Sequence, residues 1–181
     1  MDRAAEYREA VQKRRAFRLP GYTTLADIGF DGEYVSPIQM TSGNLTGPML
    51  ITKDWFDAPS AIANKTTLKK LGFMPDIPFN RVIDLALGFV GLSRSNIYIS
   101  PVFDLLTPVR SHAIPIRDRC ASFLAIGQFE LMGRRPVAAG SDAASVLRKL
   151  GIPHLKTLHP SARGLTFEDR ARRIADALEM A

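Results

Sequence analysis

The fold is decided by the stretch Met49-Leu50-Ile51-Thr52-Lys53-Asp54, in which a short, mostly apolar run ends at a lysine and an aspartate. Gly47-Pro48 stands directly before the run, so turn residues bound it on one side and charges on the other. An apolar run of this length, bounded in this way, is typical of a strand that is covered on both faces. We therefore predict a buried strand that ends just before Asp54.

Three more short runs of this kind follow, and each ends at a small or polar residue. They are residues 97–99, which end at Ser100, residues 136–139, which end at Gly140, and residues 155–158, which end at His159. Helical patterns separate or follow them, at residues 80–90, 116–132, 142–150 and 166–180. Short strands that alternate with helices imply right-handed crossovers and a parallel sheet. We predict an α/β fold, a three-layer α/β/α sandwich with a central four-stranded parallel sheet.

The remaining segments complete one predicted domain over residues 1–181. Residues 1–21 are predicted to form an N-terminal helix and turn, because Leu19-Pro20-Gly21 stops a stretch that has no proline or glycine. Residues 22–48 are rich in Gly, Thr, Ser and Asp and predict an irregular connection, with a short strand near residues 34–38. A chain of 181 residues that is 46% hydrophobic has the length and composition of one ordinary domain.

Composition limits the classes of protein and site. The 24 Lys and Arg against 18 Asp and Glu give a formal net charge of +6, which suits a polyanionic partner and equally suits plain solubility. Cys120 is the only cysteine, so the chain can form neither an internal disulfide nor a four-cysteine metal site. His112 and His154 stand apart and indicate no metal cluster. We expect a cytoplasmic monomer that has no cofactor, no metal and no membrane span.

The residues that follow the strands are the candidates for chemistry, because ligands of parallel sheets bind at the carboxyl ends of the strands. Asp54 can orient or deprotonate a water molecule there, or it can simply cap the following turn. His159 stands before Pro160 and can donate a hydrogen bond to a developing oxyanion, or it can simply satisfy a loop carbonyl. The sequence leaves both pairs of alternatives open.

Taken together, an aspartate after the first strand and His159-Pro160-Ser161 after the last resemble the two signature motifs of the uracil-DNA glycosylase superfamily. Residues 77–99 are similar to the segment that joins the pocket phenylalanine or asparagine of these enzymes to their second strand. Residues 116–144 are similar to their long helix, third strand and following helix. The resemblance extends in order over residues 47–179.

The resemblance implies roles for particular residues. Asp54 would position the water that attacks the sugar C1′, and His159 would stabilise negative charge on the departing base. The implied base-binding residues are Phe79, which would stack on an everted base, and Asn80, Ser100, Trp55 and Phe56. The implied DNA-binding residues are Lys53, Ser161, Arg163 and Leu165, the last two as candidates for the wedge that replaces the base in the stack.

Two departures from the superfamily pattern keep a second function open. Ser100-Pro101 stands where members commonly have an asparagine that reads the uracil edge, and a serine lacks the paired donor and acceptor of an amide. Lys53 stands in a first motif that usually contains glycine.

We predict a DNA base-excision glycosylase that acts on double-stranded or single-stranded DNA. The alternative on the same fold is a nucleic-acid-binding or nucleotide-binding protein that lacks uracil excision or acts on another base. A binding module for a small metabolite or a protein partner is the third class, and salt-dependent binding to DNA separates it from the first two.

Overall fold

The sheet of the protein contains four parallel strands. The computed structural model describes residues 2–181, and in it the strands are β1 (Met49–Thr52), β2 (Tyr98–Pro101), β3 (Val137–Ala139) and β4 (Leu155–Thr157). Their spatial order is β2-β1-β3-β4, and every pairing is parallel. All residues of β1, β2 and β3 are buried, which explains why their sequences are almost continuously apolar. The predicted four-stranded parallel sheet is confirmed.

Helices cover both faces of this sheet. In chain order the α-helices are α1 (Arg3–Ala16), α2 (Ala58–Ala63), α3 (Lys65–Leu71), α4 (Pro78–Phe89), α5 (Ile116–Ser122), α6 (Gln128–Glu130), α7 (Ser141–Lys149) and α8 (Phe167–Glu179). One face packs against α4 and α8, and the other packs against α5 and α7. A π-helical segment, Phe123–Gly127, joins α5 to α6. None of the helices in residues 2–181 is long and apolar enough to cross a membrane.

The N-terminal part of the chain covers surfaces that the sheet and its helices leave open. The predicted N-terminal helix spans Arg3–Ala16 and packs on α6 and the π-helical segment, outside the sheet layers. The connection over residues 22–48 runs along the outer edge of β2, where the Ile99 amide donates to the Ser42 carbonyl at 2.9 Å. The predicted strand near residues 34–38 is wrong. Pro37 opens a 3-10 helix, Pro37–Met40, because its fixed φ and missing N–H suit the first position of a helical turn.

The strand order places a crevice at the carboxyl edge of the sheet. From β1 the chain moves outward to β2, whereas from β3 it moves to β4 on the other side, so the direction reverses between β1 and β3. Ligands of open α/β sheets bind outside the strand ends at such a point. Asp54 follows β1, Gly140 follows β3 and His159 follows β4, as predicted.

One predicted strand end needs correction. Ser100 lies inside β2, opposite Ile51 in the register, and does not follow the strand. Its side chain points to Glu130, whose Oε2 accepts a 2.8 Å hydrogen bond from the Ser100 hydroxyl. A polar residue inside a buried strand is tolerated here because a buried partner satisfies it.

Candidate functional site

A cavity of about 410 Å³ opens at the carboxyl edge of the sheet. Its wall combines the loop after β1, the start of α4, the end of β2 and the loop after β4. Most of the predicted site residues line it, namely Lys53, Asp54, Trp55, Phe56, Phe79, Asn80, His159 and Ser161. The volume lies in the range of roughly 300–1,000 Å³ that is usual for small-molecule sites.

Asp54 is a half-buried carboxyl group with few partners. Its side chain is 29% exposed, and the nearest cation is the Lys53 ammonium, whose Nζ lies 3.9 Å from Oδ2. No other residue within 2–181 donates a hydrogen bond to this carboxylate. Burial raises the pKa of Asp54, Lys53 acts against that rise, and Asp142 and Asp57 add to it. The helix α2 is capped by Asp57, which accepts from the Ser60 amide at 2.9 Å, so Asp54 does not serve as that cap.

His159 is held as a neutral ring with one free donor. The Ser161 amide donates to Nδ1 at 3.0 Å, so Nδ1 carries no proton and the neutral tautomer carries it on Nε2. Burial lowers the pKa of His159, which favours this neutral form. Within residues 2–181, no hydrogen bond occupies Nε2. The ring lies against Phe79, with 5.3 Å between the ring centroids and a tilt of 55° between the ring planes.

Gly140 permits the position of His159. Its φ of +92° and ψ of 171° fall in a region that essentially only glycine adopts. A Cβ at this position would lie 3.0 Å from the Cβ of His159, tighter than ordinary contact. The tight turn after β3 therefore lets the loop after β4 come close.

Charged groups link the loops on either side of the crevice. Lys53 Nζ lies 3.9 Å from Asp54 Oδ2 and 4.0 Å from Asp142 Oδ2, so it bridges the loop after β1 and the first turn of α7. Arg119 pairs with Asp142 at 2.7 Å. Sequence reasoning missed Asp142 as part of the site, although its position two residues after Gly140, at the carboxyl edge, was an available signal.

The aromatic residues after β1 form a fixed wall. Trp55 donates from Nε1 to the Gly72 carbonyl at 2.8 Å, and its ring meets the rings of Phe30 and Phe56 edge to face. The polar atom of Trp55 is therefore already bonded, and the indole offers the cavity an apolar surface.

Two of the predicted base-binding residues do not offer free polar groups to the cavity. Asn80 lines it, but its amide donates to the Met74 carbonyl at 2.9 Å and accepts from Arg94 at 3.0 Å. Ser100 is outside the lining residues and bonds to Glu130. Both side chains are thus held by protein partners, and Ser100 does not reach the cavity wall.

A groove of about 510 Å³ adjoins the cavity. It contains Arg163 and Leu165, which the sequence analysis assigns to DNA binding, and it shares Ile77, Phe79, Arg110 and Ser161 with the cavity wall. The loop that carries Arg163 is fixed by Arg170, which donates to the Pro160 carbonyl at 2.8 Å.

Sequence reasoning also missed Arg110, Ser36 and Ile38, which line the cavity. Ser36 and Ile38 come from the long connection over residues 22–48, where only the length of the loop pointed to a function. Arg110 lies in the loop that follows β2, at the same edge as the other candidates.

Residues 2–181 contain no group of three or more His, Cys, Asp or Glu side chains placed to hold a metal ion. In comparisons with known proteins, no protein family and no curated protein matches this chain.

Proposed function

We propose that the protein is a DNA glycosylase that binds an extruded nucleobase and hydrolyses its N-glycosidic bond. The observation that carries this proposal is the pairing of two groups in one cavity. Asp54 is a half-buried carboxyl without hydrogen-bond donors from other residues in 2–181, and His159 is a ring whose Nδ1 accepts a hydrogen bond and whose Nε2–H is free. In a hydrolysis, a general base accepts a proton from the attacking water, and a hydrogen-bond donor stabilises the negative charge on the leaving group.

The proposed reaction needs water as its only other reactant. The ionised Asp54 accepts a proton from water while the water oxygen forms a bond to C1′ of the sugar. The bond from C1′ to the base nitrogen breaks, and its electron pair moves into the base. His159 then donates a hydrogen bond from Nε2 to an oxygen or nitrogen on which that negative charge collects.

The environment of each group suits its proposed role. The raised pKa of Asp54 makes its ionised form a stronger proton acceptor than an ordinary surface carboxylate. A neutral His159 keeps a proton on Nε2 for donation. Because the ring carries no charge, it does not change the ionisation of Asp54. Phe79, tilted against His159, supplies a face on which a base can stack.

The basic surface beside the cavity supports a nucleic-acid substrate. Arg163 and Arg110 are exposed and line the adjoining groove. An enzyme that acts on a base in DNA must take the base out of the stack, and the phosphates on either side remain outside the pocket. A cavity beside a cationic groove suits such a substrate, because the cavity can take the base while the groove binds the phosphates.

A second candidate function has one observation in its favour. Because the amide of Asn80 already donates to the Met74 carbonyl and accepts from Arg94, and Ser100 faces Glu130, neither of these two residues presents a free amide pair that would read uracil. This favours a protein that binds an extruded base or a nucleotide without excising uracil, or that acts on another base.

The two candidates separate in a glycosylase assay. The chain is incubated with single-stranded and double-stranded oligonucleotides that each carry one uracil, hypoxanthine or oxidised pyrimidine, and abasic sites are detected by alkaline cleavage. The proposal predicts cleavage at one or more of these bases that depends on Asp54, with Asp54→Asn as the control. Salt-dependent binding of the oligonucleotides without cleavage of any of them would reject the glycosylase and support the binding protein.

A further inference from the structure

Arg110 holds a distinctive position in the site. It lines both the cavity and the adjoining groove, and it stands on the loop after β2. The other residues common to both walls are Ile77, Phe79 and Ser161, so Arg110 is the charged member of this shared boundary. Any strand that lies in the groove and inserts a base into the cavity must pass this boundary.

The guanidinium of Arg110 is exposed and makes no hydrogen bond or ion pair with residues 2–181. Neighbouring arginines differ in this respect. Arg119 pairs with Asp142 at 2.7 Å, Arg94 with Asp84 at 2.6 Å, and Arg170 donates to the Pro160 carbonyl at 2.8 Å. Those three arginines stabilise the fold around the site, whereas the donors of Arg110 remain free for a ligand.

The loop that carries Arg110 is held by one hydrogen bond from the start of α2 and by two within the turn itself. The Ala58 amide donates to the Thr107 carbonyl at 2.9 Å, and the Thr107 hydroxyl donates to the Val109 carbonyl at 3.1 Å. The His112 amide also donates to the Val109 carbonyl at 3.1 Å. The turn is therefore fixed to the start of α2, and the backbone places Arg110 at a defined point of the rim.

We propose that Arg110 binds the phosphodiester next to the extruded nucleotide. This inference rests on the proposed function in one respect, namely that an extruded base enters the cavity. When the base occupies the cavity and the rest of the strand lies in the groove, the linkage between them crosses the shared boundary. A guanidinium matches the geometry of a phosphate because it can donate two parallel hydrogen bonds. Arg110 is thus a positioning residue, which holds the sugar so that C1′ faces Asp54.

The inference is tested by DNA binding, without any need for excision. The probe is an oligonucleotide that carries one uracil, hypoxanthine or oxidised pyrimidine. Its affinity for the parent protein, Arg110→Gln and Arg148→Gln is measured over a range of salt concentrations. Arg148 is the matched control, because it is an exposed arginine in the last turn of α7, away from the cavity and groove. We expect Arg110→Gln to lower the slope of log affinity against log salt by about one, as the loss of one phosphate contact does. Arg148→Gln should leave it unchanged.

A chemical change in the DNA identifies the contacted group. The two phosphates that flank the target nucleotide are replaced, one at a time, by an uncharged methylphosphonate. One of these replacements should weaken binding to the parent and to Arg148→Gln but have no further effect on Arg110→Gln. If the Arg110→Gln protein loses as much affinity as the parent from both replacements, Arg110 does not bind either phosphate.

The outcomes separate this inference from the proposed function. Binding that depends on Arg110 and one flanking phosphate, in a protein that excises no base, supports Arg110 as the phosphate ligand and rejects the glycosylase. If the parent protein excises a base and the variants Arg110→Gln and Arg148→Gln bind DNA equally well, the role of Arg110 is rejected and the glycosylase is supported.

Discussion

Asp54 and Glu130 are two carboxyl groups, one half-buried at the cavity and one fully buried, and burial raises the pKa of both. Glu130 is fully buried and accepts three hydrogen bonds, from Gln39 at 2.7 Å, from Tyr98 at 2.5 Å and from Ser100 at 2.8 Å. Asp54 accepts none from any other residue in 2–181 and faces a cavity. The same kind of group thus has three side-chain donors at one place and, among residues 2–181, none at the other.

This difference separates a carboxyl that stabilises the fold from one that is available for chemistry. The donors around Glu130 compensate its burial and connect β2, α6 and the N-terminal connection. A carboxyl without donors costs stability, and such a cost is typical of residues retained for function. The comparison therefore assigns Glu130 to structure and Asp54 to the proposed reaction.

The largest effect on stability is expected at Glu130. Glu130→Ala leaves the hydroxyls of Tyr98 and Ser100 buried without this acceptor, and each such loss costs about 1–3 kcal/mol. It also removes the shortest hydrogen bond of the Gln39 amide, which keeps only 3.4 Å contacts to Ile99 and Ser100. We expect a loss of about 3 kcal/mol or more in the free energy of unfolding, measured by denaturant titration. Glu130→Gln keeps the volume and one acceptor oxygen and should lose less. Equal stability of Glu130→Ala and the parent would contradict the structural role of the network.

A smaller loss is expected at Gly140, on the cavity side of the comparison. Gly140→Ala adds a Cβ 3.0 Å from the Cβ of His159 and forces an unfavourable backbone conformation at φ +92°. Strain of this kind costs about 1–3 kcal/mol. Denaturant titration should show this loss, and excision should fall further than stability alone explains because His159 is displaced. Gly151→Ala, at a glycine with φ +69° but open space around its Cβ, is the control for strain without displacement.

Asp54→Asn should change stability in the opposite direction. The folded-state pKa of Asp54 is raised, so the ionised carboxyl destabilises the folded protein above that pKa and has no such effect below the pKa of the unfolded chain. The asparagine variant should therefore be more stable than the parent at pH 7, and the gain should disappear at strongly acidic pH. Thermal unfolding across this pH range measures it. A variant less stable than the parent at pH 7 would show that Asp54 supports the fold.

The smallest effect is expected at the edge of the groove. Arg163 is exposed, so Arg163→Glu should weaken DNA binding at low salt and leave stability nearly unchanged. The difference from the parent should shrink as salt rises, because phosphate contacts release counterions. Fluorescence anisotropy with a labelled oligonucleotide measures both trends. Unchanged affinity at low salt would remove Arg163 from the DNA-binding surface.

The architecture was predictable because it depends on local patterns. Each strand is a short apolar run bounded by turn residues, and β1 shows this most clearly between Gly47-Pro48 and Lys53-Asp54. The helices α2 and α3 were not predicted. They are only six and seven residues long, and their sequence contains Pro59 and adjacent threonines. Such helices depend on caps and tertiary packing, which no short sequence window displays.

The site was predictable only where it follows from position after a strand. Asp54 and His159 were predicted as site residues in this way, and the structure brings them to one cavity. Ser100 was misplaced because its partner Glu130 lies 30 residues away, and a partner at that distance leaves no mark on the local pattern. The contact of Lys53 with Asp142 was missed for the same reason, since the sheet order that joins them is itself nonlocal.

The most direct test of the contrast between Asp54 and Glu130 is the rate of single-turnover excision. This rate and the DNA affinity are measured for four proteins: the parent, Asp54→Asn, His159→Ala and Glu130→Gln. Loss of a general base or an oxyanion donor typically lowers the rate by about a hundredfold or more. We predict that Asp54→Asn and His159→Ala show this loss with nearly unchanged DNA affinity, while folded Glu130→Gln excises at close to the parent rate. A parent that excises a base, together with Asp54→Asn and His159→Ala variants that keep its rate, would contradict the assignment of both residues.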